Sequence, residues 1–151
     1  MQQTGPGGLA ATLARAFGNV AIMSTLYDDD VVWALPASLG PLSGPHRGRA
    51  AVVAFNELVD TAYDPASVAV TILDDLTQGD LSVARFIYQA RMLPSGEPFK
   101  GEYALYVRSL NGRIIEVQER LDTLAVYRAR VAMGQAELFG EAPPTQHAGA
   151  S

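Results

Sequence analysis

The sequence predicts an α+β fold in which helices come first and an antiparallel sheet follows. Residues 9–63 carry apolar side chains mainly at helical spacing, whereas residues 67–121 hold β-rich runs separated by tight turns. Asn111-Gly112, between two of these runs, is a strong signal for a β-hairpin. Because parallel strands need longer crossovers than these turns provide, the sheet is predicted to be antiparallel.

The N-terminal half is predicted to form three helices and one strand. Apolar residues recur at helical spacing in the three helical segments, which are residues 9–17, 20–27 and 49–63. Gly18-Asn19 is suited to end the first helix and cap the second. The β-rich residues 31–35 stop at Pro36 and predict a strand. Residues 36–48 are rich in glycine and proline and predict a loop.

The C-terminal half is predicted to form four strands and a closing helix. The strands are residues 67–76, 81–93, 99–110 and 113–121. Asp122 or Thr123 is suited to cap the helix that follows. We expect residues 9–133 to form one domain, with a flexible lead-in at 1–8 and an extension with a disordered tail at 134–151.

The composition indicates a protein that acts on a small molecule. The chain has 151 residues, 48% of them hydrophobic, which suffices for one core that also encloses a pocket. Lys and Arg number 11 against 16 Asp and Glu, and the net charge of −5 disfavours nucleic acid as a partner. The absence of cysteine excludes disulfides, thiol nucleophiles and Cys-ligated zinc. No signal peptide, membrane-spanning run or cofactor motif is recognisable, so we expect a cytoplasmic protein that uses no cofactor and no membrane.

Four short motifs resemble, in their order and spacing, the SnoaL-like polyketide cyclase family of the nuclear transport factor two-like superfamily. They are residues 26–33 (LYDDDVVW), 44–48 (GPHRG), 111–114 (NGRI) and 119–122 (ERLD). The resemblance covers about residues 9–130. It implies a cone-shaped α+β barrel, in which a strongly bent, mostly antiparallel sheet and three helices surround an apolar pocket. The superfamily includes isomerases, cyclases, epoxide hydrolases and non-catalytic binders, so the fold alone does not decide the chemistry.

Asp122 is the first candidate for catalysis. Resemblance to the polyketide cyclases and to limonene-type epoxide hydrolases implies a catalytic carboxylate at the end of this strand. Burial in an apolar pocket raises the pKa of a carboxyl group and makes it a competent base near neutral pH. The alternative is that Asp122 only caps the closing helix. The alternation of side chains along the strand places Arg120 on the same face as Asp122, unless a bulge breaks the alternation.

The two preceding strands offer aromatic side chains to the pocket. Alternation and the need for an apolar concave face select Phe86 and Tyr88 on one strand, and Phe99 and Tyr103 on the next. The hydroxyl groups of Tyr88 and Tyr103 are suited to stabilise a developing oxyanion. The alternative is that both tyrosines are aromatic parts of the pocket wall.

Three further features of the N-terminal half bear on the pocket. Trp33 is expected in the core or the pocket wall, with a possible contact to the ligand. His46 lies in the loop that the resemblance places near the pocket mouth, where it is either an acid–base group or a solvated side chain. Residues 28–30 (DDD) lack the spacing of a calcium loop, and we expect no metal site there.

Two well-known chemistries of the superfamily are disfavoured by individual positions. In ketosteroid isomerases an aspartate precedes the proline that ends the first strand, and Leu35 stands at that position here. In limonene-type epoxide hydrolases an arginine and a second aspartate come from the strand that corresponds to residues 81–93. The matching positions here are Phe86 and Tyr88, which do not supply those groups.

These observations predict a small-molecule cyclase or isomerase of secondary metabolism that binds a polyketide-like substrate and uses acid–base catalysis and conformational control. One alternative is a non-catalytic module for ligand binding or dimerisation, and another is an epoxide hydrolase or epoxide-opening cyclase. On the sheet face away from the pocket, Val83, Ile87 and Ile115 predict a homodimer.

Overall fold

The computed structural model describes residues 7–140 and contains four α-helices and six β-strands within them. The helices are α1 (Leu9–Arg15), α2 (Val20–Leu26), α3 (Arg49–Asp60) and α4 (Thr123–Ala132). The strands are β1 (Tyr27–Ala34), β2 (His46–Arg47), β3 (Ala69–Gln78), β4 (Leu81–Arg91), β5 (Pro98–Leu110) and β6 (Arg113–Leu121). Short 3₁₀ segments span Ala37–Ser43, Pro65–Ser67 and Ala136–Phe139. The predictions for residues 1–6 and 141–151 lie outside the described residues.

The strands form one curved sheet in the order β2-β1-β6-β5-β4-β3. Neighbouring strands are antiparallel except β1 and β6, which run parallel. The sheet is not closed, so β2 and β3 are its edges. This arrangement confirms the predicted α+β class with a bent, mostly antiparallel sheet.

Two local predictions for the N-terminal half differ from the structure. The strand predicted at residues 31–35 begins earlier, because β1 spans Tyr27–Ala34 and pairs with β6. Residues 36–48 were expected to form a loop, but they contain a 3₁₀ segment and β2. Pairing of β2 with β1, in which His46 lies opposite Trp33, provides backbone partners that local sequence does not reveal.

The helices pack on one face of the sheet and form the core there. On β4, fully buried residues such as Phe86 alternate with half-buried ones such as Val83 and Ile87. Helix α1 packs against β4 and β5, and α3 packs against β1. No helix of the described residues is both long and apolar enough to cross a membrane.

Candidate active site

A largely apolar cavity lies between the sheet and the helices. The cavity has a volume of about 60 Å³, within about 630 Å³ of free space that includes its opening to solvent. The enclosed part therefore suits a compact group, such as one ring, better than a long chain. The polar side chains that line the cavity are Asn56, Asp60, Tyr63, Tyr88, Tyr103, Glu119 and Arg130.

Glu119 is the buried carboxyl group of this cavity. It lies on β6, is only 6% exposed, and accepts a hydrogen bond of 3.0 Å at Oε1 from Nε1 of Trp33. Burial raises the pKa of Glu119 to about 7, although the hydrogen bond from Trp33 acts in the opposite direction. A carboxyl group with this pKa can both accept and return a proton at neutral pH.

Three tyrosines form a cluster in the wall of the cavity. The ring centroid of Tyr88 lies 5.5 Å from that of Tyr63 and 5.4 Å from that of Tyr103. Burial raises the pKa values of Tyr88 and Tyr103; the neighbouring Tyr63 and Glu119 act in the same direction, and the positive charge of Arg130 acts in the opposite direction. Their raised pKa values keep both phenols protonated, and within residues 7–140 neither hydroxyl group makes a hydrogen bond, so both are donors available to a ligand.

Helix α3 contributes Asn56 and Asp60. The amide oxygen of Asn56 accepts a hydrogen bond of 2.6 Å from the hydroxyl group of the buried Tyr27. Burial raises the pKa of the half-buried Asp60, and the nearby Glu57 adds to this effect. The cavity thus contains two carboxyl groups whose protonated forms are favoured by their surroundings.

Trp33, Tyr88 and Tyr103 line the cavity, whereas two other aromatic candidates lie behind its surface. Phe86 is fully buried, and its ring stacks on that of Tyr103 at a centroid distance of 5.8 Å. Phe99 packs against Tyr63, with the ring centroids 5.5 Å apart. Phe86 and Phe99 therefore support the tyrosines and do not themselves face the cavity.

Asp122 and Arg120 are not part of the cavity lining. The exposed carboxylate of Asp122 accepts a hydrogen bond of 3.0 Å from the backbone N–H of Ala125. Asp122 thus caps the N-terminus of α4, as the alternative interpretation of this residue predicts. Arg120 is exposed and lies with Arg108 and Glu116 in a shallow depression on the other face of the sheet. Residues 116–121 of β6 pair with β5 without interruption, so Glu119 faces the cavity, while Arg120 and, just beyond the strand, Asp122 face away from it.

His46 lies beside the cavity without lining it. Its ring stacks on Phe55 at a centroid distance of 4.2 Å, and Nε2 lies 3.0 Å from the backbone oxygen of Leu42. Phe55 and Leu42 both line the cavity, so His46 supports its wall from behind.

Sequence reasoning did not assign a role to Glu119 or Arg130. Glu119 belongs to the ERLD motif of residues 119–122, but strict alternation from Asp122 predicts that it lies on the outer face. Arg130 lies in the last turn of α4, where a basic residue is typical of an exposed helix end. Within residues 7–140, no group of three or more His, Cys, Asp or Glu side chains is arranged to hold a metal ion.

Comparison with known proteins gives one family match. The model of the SnoaL-like domain matches residues 9–117. No functionally curated protein matches the chain significantly.

Several solved structures share the fold. A proposed isomerase from Rhodopseudomonas palustris is 21% identical with a TM-score of 0.68, over 87% of this chain and 99% of that one. A proposed SnoaL-like polyketide cyclase from Jannaschia sp. CCS1 is 18% identical with a TM-score of 0.65, over 85% of this chain and 96% of that one. An NTF2-like protein of unknown function from Burkholderia pseudomallei is 22% identical with a TM-score of 0.66, over 77% and 89% of the two chains. Identities this low establish likeness of fold alone.

Proposed function

Because the chain belongs to the SnoaL-like domain family, as its motifs predict, we propose that it is a cofactor-independent cyclase or isomerase of secondary metabolism. Its substrate is a compact, polyketide-like molecule whose reacting carbon lies next to a carbonyl group. The observation that carries the proposal is Glu119, a carboxyl group buried in the cavity with a pKa of about 7. The role first assigned to Asp122 therefore passes to Glu119.

In the proposed mechanism, the ionised carboxylate of Glu119 removes a proton from the carbon next to the carbonyl group. The electron pair of the broken C–H bond moves to the carbonyl oxygen, which accepts hydrogen bonds from the hydroxyl groups of Tyr88 and Tyr103. The hydrogen bond from Trp33 holds the carboxyl group of Glu119 in place. Such proton transfer by a positioned side chain typically accelerates a reaction by about 10²–10⁴.

The resulting enolate has two possible fates, and Glu119 completes both. In isomerisation, Glu119 returns the proton to a different carbon of the same molecule. In cyclisation, the enolate carbon forms a bond to a second carbonyl carbon, and the oxygen of that carbonyl takes the proton from Glu119. The shape of the cavity supports cyclisation by holding the two reacting ends together.

Proton exchange with a simple ketone tests this proposal without knowledge of the natural substrate. β-Tetralone is a compact aromatic ketone with acidic protons next to its carbonyl group. In deuterium oxide, the wild-type protein is expected to exchange these protons faster than buffer, as followed by NMR. Glu119→Gln is expected to lower the protein-catalysed rate by about 10²-fold or more, and the control Asp122→Asn to leave it unchanged.

Two outcomes of this experiment would count against the proposal. If Glu119→Gln exchanges β-tetralone as fast as the wild type, Glu119 is not the base. If the wild type binds the ketone but does not accelerate exchange, the chain is better described as a non-catalytic ligand-binding module.

We also infer a homodimer formed through the outer face of the sheet. This face carries the half-buried Val83 and Ile87 beside the exposed Tyr106. Charged side chains of both signs surround these residues, including the ion pairs of Arg85 with Glu102 and of Arg108 with Glu116. A second copy of the chain would therefore meet complementary charges. Sedimentation equilibrium is expected to show a dimer, and a monomer independent of concentration would contradict the inference.

A further inference from the structure

Arg130 is a buried cation in the wall of the cavity. Its side chain comes from the last turn of α4 and is 3% exposed. Within residues 7–140, no carboxylate oxygen lies within 4.0 Å of its guanidinium group, and the buried Nε has no hydrogen-bond partner. A buried charge without a counter-charge is costly, and native proteins rarely retain one without a use.

The surroundings hold Arg130 in place but do not neutralise it. The guanidinium carbon lies 4.7 Å from the centre of the Tyr63 ring, and Nη1 donates a hydrogen bond of 3.3 Å to the side-chain oxygen of Gln135. Contact with the face of an aromatic ring partly offsets the free-energy cost of burying a cation. Arg128, on the same helix, is exposed, so burial of Arg130 is specific to its position and not a property of the helix.

The carboxyl groups of the cavity do not serve as counter-charges. Glu119 and Asp60 both line the cavity, yet neither forms an ion pair with Arg130. Burial raises the pKa values of both groups, whereas a close ion pair with Arg130 would lower them. Among residues 7–140, the positive charge of Arg130 in the cavity wall therefore has no counter-charge.

On the basis of the proposed function, we propose that the substrate carries a carboxylate, which Arg130 binds while the reacting carbon lies at Glu119. The planar guanidinium group suits a planar carboxylate, because two parallel N–H···O hydrogen bonds form at once. The free Nε–H is one donor for such a pair. The substrate class thus narrows to small aromatic or polyketide-like acids.

Arg130 also lies outside the residues that the family model matches. The family match ends at residue 117, whereas Arg130 comes from α4. Helix α4 contacts the segment Ala37–Ser43, whose Leu39 and Leu42 line the same cavity. Recognition of the carboxylate is accordingly assigned to the C-terminal helix α4, beyond the residues that the family model matches.

Binding of benzoate and benzamide tests this inference directly. The two probes have nearly the same shape and differ in charge, and Trp33, the only tryptophan of the chain, reports binding by its fluorescence. At about pH 8 the wild type is expected to bind benzoate at least tenfold more tightly than benzamide, as for a charged hydrogen bond of about 1.5 kcal/mol or more. Arg130→Met is expected to reduce this preference to less than about threefold, whereas the exposed control Arg128→Met retains it.

Three results would overturn the inference. They are equal binding of the two probes by the wild type, no binding of either probe, and a preference that persists in Arg130→Met. The comparison of the two probes in the wild type remains decisive even if Arg130→Met does not fold. Because Glu119→Gln is expected to keep the preference for benzoate, failure of proton exchange and failure of carboxylate binding are separate outcomes.

Discussion

Replacement of Glu119 by glutamine is expected to stabilise the protein, and to do so only above acidic pH. The pKa of Glu119 rises from 4.5 to about 7 on folding, which corresponds to about 3 kcal/mol of unfolding free energy. Because the folded state favours the protonated form, the wild type suffers no penalty at or below about pH 4.5. The penalty grows as the pH rises and is complete above about pH 7. Glutamine preserves the size of the side chain and an oxygen that accepts the hydrogen bond from Trp33, but it never becomes charged.

Urea unfolding, followed by circular dichroism across this pH range, measures the effect. Near pH 8, Glu119→Gln is expected to exceed the wild type by about 3 kcal/mol, or roughly 10 °C in thermal midpoint, and the two should converge toward pH 4.5. Glu116→Gln is the matched control on the same strand. Glu116 forms an exposed ion pair with Arg108, so its replacement should change the stability by less than about 1 kcal/mol. A difference between Glu119→Gln and wild type that does not vary with pH would refute the reasoning, because Glu119 would then titrate alike in both states.

Three further substitutions test neighbouring groups. Asp122→Ala is expected to lower the unfolding free energy by about 1 kcal/mol through loss of the helix cap while leaving β-tetralone exchange intact, and a loss of exchange would return Asp122 to the site. Tyr88→Phe is expected to slow exchange by about tenfold or more with little change in thermal midpoint. A slower exchange accompanied by a large drop in thermal midpoint would indicate a purely structural role. Trp33→Phe removes the hydrogen bond that lowers the pKa of Glu119. The midpoint of the increase in exchange rate with pH should therefore lie above about pH 7. An unmoved pH profile would show that this hydrogen bond does not tune Glu119.

The fold was predictable because local sequence patterns indicate most of its helices and strands. Helical spacing located α1, α2 and α3, and the glycine-rich turns located β3 to β6, with the bounds of β6 predicted to the residue. Asn111-Gly112 forms the predicted hairpin turn between β5 and β6. The early start of β1 and the two residues of β2, which the sequence does not predict, depend on pairing with other strands. Their backbone partners are not visible in a local pattern.

The candidate site was predictable only in part, because its decisive residues depend on register. Alternation along β4 and β5 correctly brought Tyr88 and Tyr103 to the cavity, since those strands are paired without interruption around these residues. Along β6 the alternation holds from Glu116 to Leu121, but it was anchored on Asp122, which faces away from the cavity, so Glu119 was assigned to the wrong face. Arg130 shows a second limit, because whether a basic residue near a helix end is buried depends on where that helix packs.

The titration of Glu119 itself is the most direct test of the central claim, which is that a buried carboxyl group in the cavity exchanges protons at neutral pH. NMR of carboxyl carbons labelled in glutamate, compared between the wild type and Glu119→Gln, isolates the resonance of this group. We predict that it titrates with a pKa of about 7 in the folded protein. A pKa near the ordinary value of 4.5 would contradict the proposed role of Glu119.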